Sequence, residues 1–295
     1  MEKIGFIGLG IMGKPMALNL IKAGYSVSVL STSKAVNVLT EAGAEACLTA
    51  RELAQQSDTV ITMLPDSPQV EQVVSGPDGV LAGIRPGALF IDMSTIAPAT
   101  AKAIYQQMQE KSVEALDAPV SGGQVGAENA ALSIMVGGTD KAFARALPVF
   151  QAMGKNIVHI GEPGAGQTAK ACNQMIVGQT IQAVAEAFAL ALKAGVDLEK
   201  MREVLLGGFA QSRILDLHGK RMIDGNFAPG FKIKLHKKDL NIALHTGQEL
   251  GVDLKGTTLA AAQMQTALAQ EMGEMDHSAL FLLLERGIGL KARVP

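Results

Sequence analysis

The sequence predicts two domains in tandem: an α/β domain built on a parallel sheet with helices on both faces, then an all-α domain, joined by a long helix. Three observations predict this. Short β-rich runs alternate with helical stretches through the first half of the chain. Beyond Gly161 the alternation stops and no convincing strand follows. The 295 residues also suit two domains better than one, because single cores stop growing at about 250–300 residues. The change falls near residue 162, giving domains of 1–162 and 163–295.

The elements follow in order. Ile4 to Ile7 is an apolar run that ends in glycines, and Met12 to Ala23 reads as a helix stopped by Gly24. Val27 to Leu30 is the second strand, and Asp58 to Leu64 the third, halted by Pro65. Leu89 to Met93 is the fourth, and Glu114 to Ala118 the fifth, broken by Pro119. Ser133 to Val136 and Asn156 to Ile160 complete the set. Gln167 to Ala194 then runs helical without proline, and Gly195 closes it at a C-cap position.

Composition excludes several classes. Hydrophobic residues make up 48% and charged residues 18%, enough to build a core rather than a disordered chain. The formal net charge is -2 and no basic block stands out, which argues against a nucleic-acid surface. Cys47 and Cys172 lie far apart, with no metal-ligand spacing and no disulfide framework. No secretory leader is expected at the N-terminus. No apolar run reaches the roughly 20 residues a bilayer demands, so no membrane partner is expected and a cytoplasmic location is.

The first chemical motif is Gly8-Leu9-Gly10-Ile11-Met12-Gly13. A G-x-G-x-x-G string alone is weak, but this one leaves an N-terminal strand and opens a helix. The first glycine allows the tight turn, the second lets backbone approach a pyrophosphate, and the third permits close helix–strand packing. The helix N-terminus supplies N–H groups and partial positive charge for phosphates. A Rossmann-like dinucleotide site is therefore expected. The second strand leads into Ser31-Thr32-Ser33-Lys34, with no carboxylate before Glu41. Hydroxyls and a lysine suit a ribose 2′-phosphate better than the acid that binds a 2′-hydroxyl, so NADP(H) is the favoured cofactor and NAD(H) the alternative. A solvated loop is the plain reading of the same four residues.

In parallel sheets ligands sit beyond the C-terminal ends of the strands. Leu64-Pro65 and Ser94-Thr95 follow such ends and are expected on the cofactor side. Asp117-Ala118-Pro119-Val120-Ser121-Gly122-Gly123 follows another; its hydroxyl and glycine N–H groups could cradle a carboxylate, or the glycines could simply serve a turn. Lys170 stands in an Ala-rich helix with Asn173 at i+3 and Gln174 at i+4, all on one face. From the residues alone it reads as a surface lysine with its stem on apolar neighbours. Its functional reading is a proton donor to an alkoxide formed by hydride addition, with desolvation lowering its pKa. Lys237-Lys238-Asp239 could reach an anionic ligand or form a solvated face. His218, His236, His245 and His277 show no ligand spacing, so no metal is expected. No G-x-S-x-G elbow supports a serine hydrolase.

Taken together, the Gly8–Gly13 loop, the Asp117–Gly123 segment, the string Gly164-x-Gly166-x-x-x-Lys170-x-x-Asn173 and Lys238-Asp239 resemble the β-hydroxyacid dehydrogenase family over nearly the whole chain. Within it, Asn173-Gln174, Gly207-Gly208-Phe209-Ala210, Ser212-Arg213-Ile214-Leu215 and Asp276-His277-Ser278-Ala279-Leu280 are most similar to the 2-hydroxy-3-oxopropionate (tartronate semialdehyde) reductases. The resemblance implies that Lys170 is the catalytic acid/base. It implies that Ser121, Gly122 and Gly123 hold the substrate carboxylate, that Asn173 hydrogen-bonds the substrate, and that Thr95 and Lys238 sit at the cofactor. A small hydroxy acid or semialdehyde would be the substrate, and a homodimer or homotetramer the assembly. Many NADP-using relatives carry arginine where Thr32 stands. Rival readings on the same scaffold are a 3-hydroxyisobutyrate dehydrogenase and a glyoxylate or succinic semialdehyde reductase. Of another class is a non-catalytic nicotinamide-binding sensor.

Overall fold

The computed structural model describes residues 2–289. The chain divides into two compact units, Met1–Lys170 and Ala171–Pro295. The first holds one sheet of nine strands: β1 Lys3–Ile7, β2 Ser26–Leu30, β3 Glu45–Cys47, β4 Thr59–Thr62, β5 Leu89–Asp92, β6 Glu114–Asp117, β7 Val120–Ser121, β8 Leu132–Gly137 and β9 Gly154–Gly161. Their order is β3-β2-β1-β4-β5-β6-β8-β7, with β9 also on β8. From β3 through β6 every pairing is parallel. The order reverses at β1, where β2 lies on one side and β4 on the other, and a ligand crevice is expected at such a switch point.

The sheet is not parallel throughout, as the sequence pattern predicts: β8 runs antiparallel to both β6 and β7. The pairs Asp117↔Gly137, Val120↔Ile134 and Ser121↔Ser133 keep one register, so β6 and β7 are a single strand interrupted at Pro119, which has no N–H to donate. The return into β8 is a hairpin, too short for the crossover a parallel pair needs. β3 and β7, of three and two residues, escape the sequence pattern because periodicity has nothing to repeat at that length.

Alternation along each strand feeds two cores. Leu89 and Ile91 pack on one face with Phe6, Met16 and Val29; Phe90 packs on the other with Leu53, Val60 and Met108. Burial of both faces is why these strands read as continuous apolar runs.

The long helix Ala165–Lys193 opens after Gly164 (φ +87) and is followed by Gly195 (φ +76), a left-handed conformation that glycine adopts without strain. By length and composition alone it is apolar enough to cross a membrane, against the expectation that no run is. Its Ile181, Ala185 and Phe188 are buried in the core of the second unit. Phe188 meets Phe281 edge-on, with centroids 6.4 Å apart. The helices Leu198–Leu206 and Arg213–Asp224, N-capped by Asp197 and Ser212, pack there with Ile233–Glu249, Lys255–Ala269 and Leu280–Gly287.

Candidate active site

Parallel pairing brings the ends of β1, β2, β4, β5 and β6 to one edge of the sheet, and the segments that follow carry most of the expected site residues. Consecutive ends are stitched together: Met63 N–H donates to Ile7 O (2.8 Å), Met93 N–H to Thr62 O (2.8 Å) and Ala118 N–H to Asp92 O (2.7 Å). Leu64 N–H donates to Ser94 Oγ at 2.8 Å, joining two of the expected cofactor segments. Asp92, buried below them, accepts from Thr62 Oγ1 (2.7 Å) and Ser94 N–H (3.2 Å).

The glycine loop after β1 separates structural from ligand demands. A Cβ on Gly8 (φ +103) would lie 2.2 Å from Met63 O, and one on Gly13 would lie 1.8 Å from Gly8 O, so the turn itself requires both glycines. A Cβ on Gly10 would meet nothing within 4 Å. Nothing within the protein demands glycine at that exposed position, as fits backbone left open for a phosphate to approach. The helix Gly13–Lys22 has no side-chain N-cap and no acid in its first turn, which suits an anion there. Ile11 is exposed and Met12 half-buried beside it, whereas the Leu9 side chain packs in the core and leaves only its backbone to the loop.

After β2, Thr32 and Lys34 are exposed, while Ser31 and Ser33 are half-buried. The loop is tied by Ser31 N–H to Cys47 O (2.8 Å) and by Ser33 Oγ, which accepts from Ala35 N–H (3.3 Å). Beyond β6, Ser121 is half-buried and Gly122 and Gly123 are exposed at φ +133 and +61. Both conformations favour glycine, most strongly at Gly122, whatever else these residues bind.

Lys170 is 7% exposed, not the surface residue that its helix pattern alone suggests. The first turn of its helix is anchored twice. The Asp117 carboxylate accepts from Gly164 N–H at 2.7 Å and Gln167 N–H at 2.8 Å. The Gln167 carboxamide donates to Ser94 O at 2.8 Å and accepts from Ile96 N–H at 3.1 Å. Burial pushes the Asp117 carboxyl up to about 6, against the two backbone donors and with added repulsion from Asp92. Gln167 and the capping role of Asp117 are absent from the sequence reading; the one available signal was that Gln167 lies three residues before Lys170, on its helix face.

Asn173 and Lys238 belong to the second unit. Asn173 Nδ2 donates to Gln174 Oε1 (2.8 Å), and Gln174 Nε2 to Asp239 Oδ2 (2.5 Å). The other Asp239 oxygen lies 2.9 Å from Lys238 Nζ. One relay of side chains thus links the two expected residues through Gln174 and Asp239, which the sequence motifs contain but whose linking role they do not reveal.

Three histidines that look scattered in the sequence converge in this unit. His236 Nε2 faces Gln174 O at 3.1 Å and so must donate; its Nδ1 accepts from His277 Nδ1–H at 2.9 Å. His277 Nε2 then accepts from His218 Nε2–H at 3.4 Å, and His218 Nδ1 lies 3.5 Å from Asp276 Oδ1. Burial pushes Asp276 up, but His218, His277, Ser278 and the Phe231 N–H outweigh it and hold the carboxyl well below its usual range. Burial, then His236, holds His277 well below the usual imidazole range. His218, Asp276 and His277 also offer a metal three atoms within 4.8 Å of one another. However, Arg221 Nε stands 3.6 Å from the same Asp276 oxygen, which disfavours a second cation there.

Comparison with known proteins follows the same division. The profile of the NAD binding domain of 6-phosphogluconate dehydrogenase matches residues 3–161. That described as NAD-binding of NADP-dependent 3-hydroxyisobutyrate dehydrogenase matches residues 164–284. The 2-hydroxy-3-oxopropionate reductase of Escherichia coli (strain K12) is 46% identical over 283 residues, covering 96% of this chain and 97% of that protein. The NAD-dependent L-serine dehydrogenase of Pseudomonas aeruginosa is 38% identical over 293 residues, 97% of this chain and 98% of that protein. The solved structure of Mycobacterium tuberculosis 3-hydroxyisobutyrate dehydrogenase with L-serine superposes with a TM-score of 0.88 at 35% identity, covering 96% of this chain and 99% of that one.

Proposed function

The chain belongs to the β-hydroxyacid dehydrogenase family of nicotinamide-dependent oxidoreductases, and on that premise we propose that it reduces 2-hydroxy-3-oxopropionate to D-glycerate. The observation that carries the substrate is the 46% identity to a 2-hydroxy-3-oxopropionate reductase over 96% of the chain. A bound dinucleotide supplies the hydride, and Gly8, Leu9, Gly10, Ile11, Met12 and Gly13 would hold its pyrophosphate, with Leu64, Pro65, Thr95 and Lys238 also at the cofactor. We infer a preference for NADP(H), because Ser31, Thr32 and Lys34 offer hydroxyls and a cation without an acid; NAD(H) is the alternative.

Ser121, Gly122 and Gly123 would take the substrate carboxylate, and Asn173 its hydroxyl oxygen. Lys170 would donate a proton to the aldehyde oxygen as the hydride reaches carbon, and take it back in the reverse direction. Its burial supports the role, since a desolvated ammonium stabilises a developing alkoxide more strongly than a solvated one. Oxidation of 3-hydroxyisobutyrate or L-serine is the second reading, favoured by the likeness to the mycobacterial enzyme. Parallel assays of the semialdehyde, 3-hydroxyisobutyrate and L-serine, each with both cofactors, test the choice. A domain division at residue 162 and a cytoplasmic homodimer or homotetramer belong to the same reading. The exposed Ile176 and Leu190 of the long helix support self-association.

A further inference from the structure

Gln167 is 1% exposed although its carboxamide carries two donor hydrogens and an acceptor oxygen. Burying such a group costs stability unless partners replace water. Its partners are not arbitrary. They are Ser94 O and Ile96 N–H, the backbone groups on either side of Thr95. The carboxamide therefore grips the loop beyond β5 by its main chain, as a neighbouring strand would. From the other side, the Gln167 N–H is held by Asp117 at the end of β6.

Close packing shows how little play this junction has. A Cβ on Gly166 would lie 2.4 Å from Met135 O and 2.5 Å from Asp117 O. One on Gly137 would lie 2.4 Å from Asp117 Oδ1 and 2.8 Å from Gly166 N. The helix start is thus pressed against β6 and β8 with room for no side chain at either position. Gln167 and Lys170 are three residues apart in the helix Ala165–Lys193 and so share a face.

We propose that Gln167 is a positioning residue for hydride transfer: with Asp117 behind it, its carboxamide locks the Ser94–Ile96 loop to the helix turn that carries Lys170, and so fixes the proton donor relative to the cofactor loop. The proposal rests on the role of Lys170 given above, but on no particular substrate. Misplacement by about 1 Å costs on the order of a hundredfold in rate, so the lock would act on turnover rather than on substrate affinity.

The test compares wild type, Lys170→Ala, Gln167→Leu and Gln167→Glu, each with the substrate that wild type turns over fastest. Gln167→Leu keeps the volume and loses both bonds; kcat is expected to fall about 10- to 100-fold, with KM within about threefold. Gln167→Glu keeps the acceptor, but its ionised carboxylate cannot donate to Ser94 O. Burial, the Asp117 carboxylate bonded to the same helix turn from the end of β6, and Asp92 below the loop all raise the pKa of the introduced carboxyl, while Lys170 one turn on lowers it. On acidification the neutral carboxyl regains its donor. Activity relative to wild type at each pH should therefore recover at least about fivefold between about pH 8 and 5.5 for Gln167→Glu, and not for Gln167→Leu. Unchanged kcat in Gln167→Leu, or identical pH profiles for the two variants, would overturn the lock while Lys170→Ala stays inactive. Near-normal turnover in Lys170→Ala would overturn the role of Lys170, and the lock with it.

Discussion

The Asp117 carboxylate accepts the Gln167 N–H at 2.8 Å, and this bond fastens the end of β6 to the first turn of the long helix. It does so at a cost that depends on pH. Burial raises the Asp117 pKa to about 6 from 3.8, so the folded protein binds this proton more tightly than the unfolded chain. Stability contributed by Asp117 is therefore largest at low pH, falls as pH rises through the window from about 4 to 6, and is flat above it. The span is at most about 3 kcal/mol. Urea melts of wild type and Asp117→Asn between pH 4 and 7 should show the stability difference growing on acidification. A difference independent of pH contradicts the burial argument.

His277 has the opposite sign. Its folded pKa lies well below 6.5, so the unfolded chain takes up a proton first, and stability is lost as pH falls through about 6.5. His277→Gln should flatten that acid limb. It should also lower neutral-pH stability by about 1–3 kcal/mol, because His236 and His218 each lose a buried partner. Nitrogen-resolved histidine spectra give a second check. The row from Gln174 to Asp276 requires the Nε2–H form of His236 and the Nδ1–H form of His277.

Gly10 and Gly13 should respond differently to alanine. At Gly13 the added Cβ lies 1.8 Å from Gly8 O, so backbone must move and the protein should lose at least about 1–3 kcal/mol. At Gly10 there is open space, so Gly10→Ala should melt like wild type yet bind the dinucleotide at least tenfold more weakly, about 1.4 kcal/mol. Titration of cofactor fluorescence together with thermal melting separates the two effects. Equal binding by Gly10→Ala would remove the pyrophosphate from this loop.

Much of this was legible in the sequence for physical reasons. Ile4 to Ile7 followed by Gly8, Gly10 and Gly13 combines strand, turn and helix signals within a dozen residues, and each signal is local. The long helix was legible because its apolar residues recur over 29 residues. What escaped depends on partners distant in sequence. Gln167 acquires meaning only when β5 brings Ser94 and Ile96 to it, 73 and 71 residues away. The direction of β8 was hidden because β6 and β7 form one strand across a proline that reads as a stop. The histidines were set aside because sequence separates His218, His236 and His277, which folding brings into a row.

Removing the ammonium at Lys170 should lower kcat by about 10²–10⁴-fold, the usual worth of a positioned proton donor, with cofactor affinity little changed. Lys170→Arg should not rescue it, since a guanidinium stays protonated and cannot exchange the proton. Single-turnover kinetics with prebound reduced cofactor isolate the step.

The most direct test follows reduced-cofactor absorbance with purified protein, 2-hydroxy-3-oxopropionate, and NADPH or NADH. Turnover at about 1–10³ s⁻¹, faster with NADPH and exceeding oxidation of 3-hydroxyisobutyrate or L-serine, is the predicted result. Faster turnover of either hydroxy acid, with the semialdehyde left unreduced, would contradict the proposed substrate.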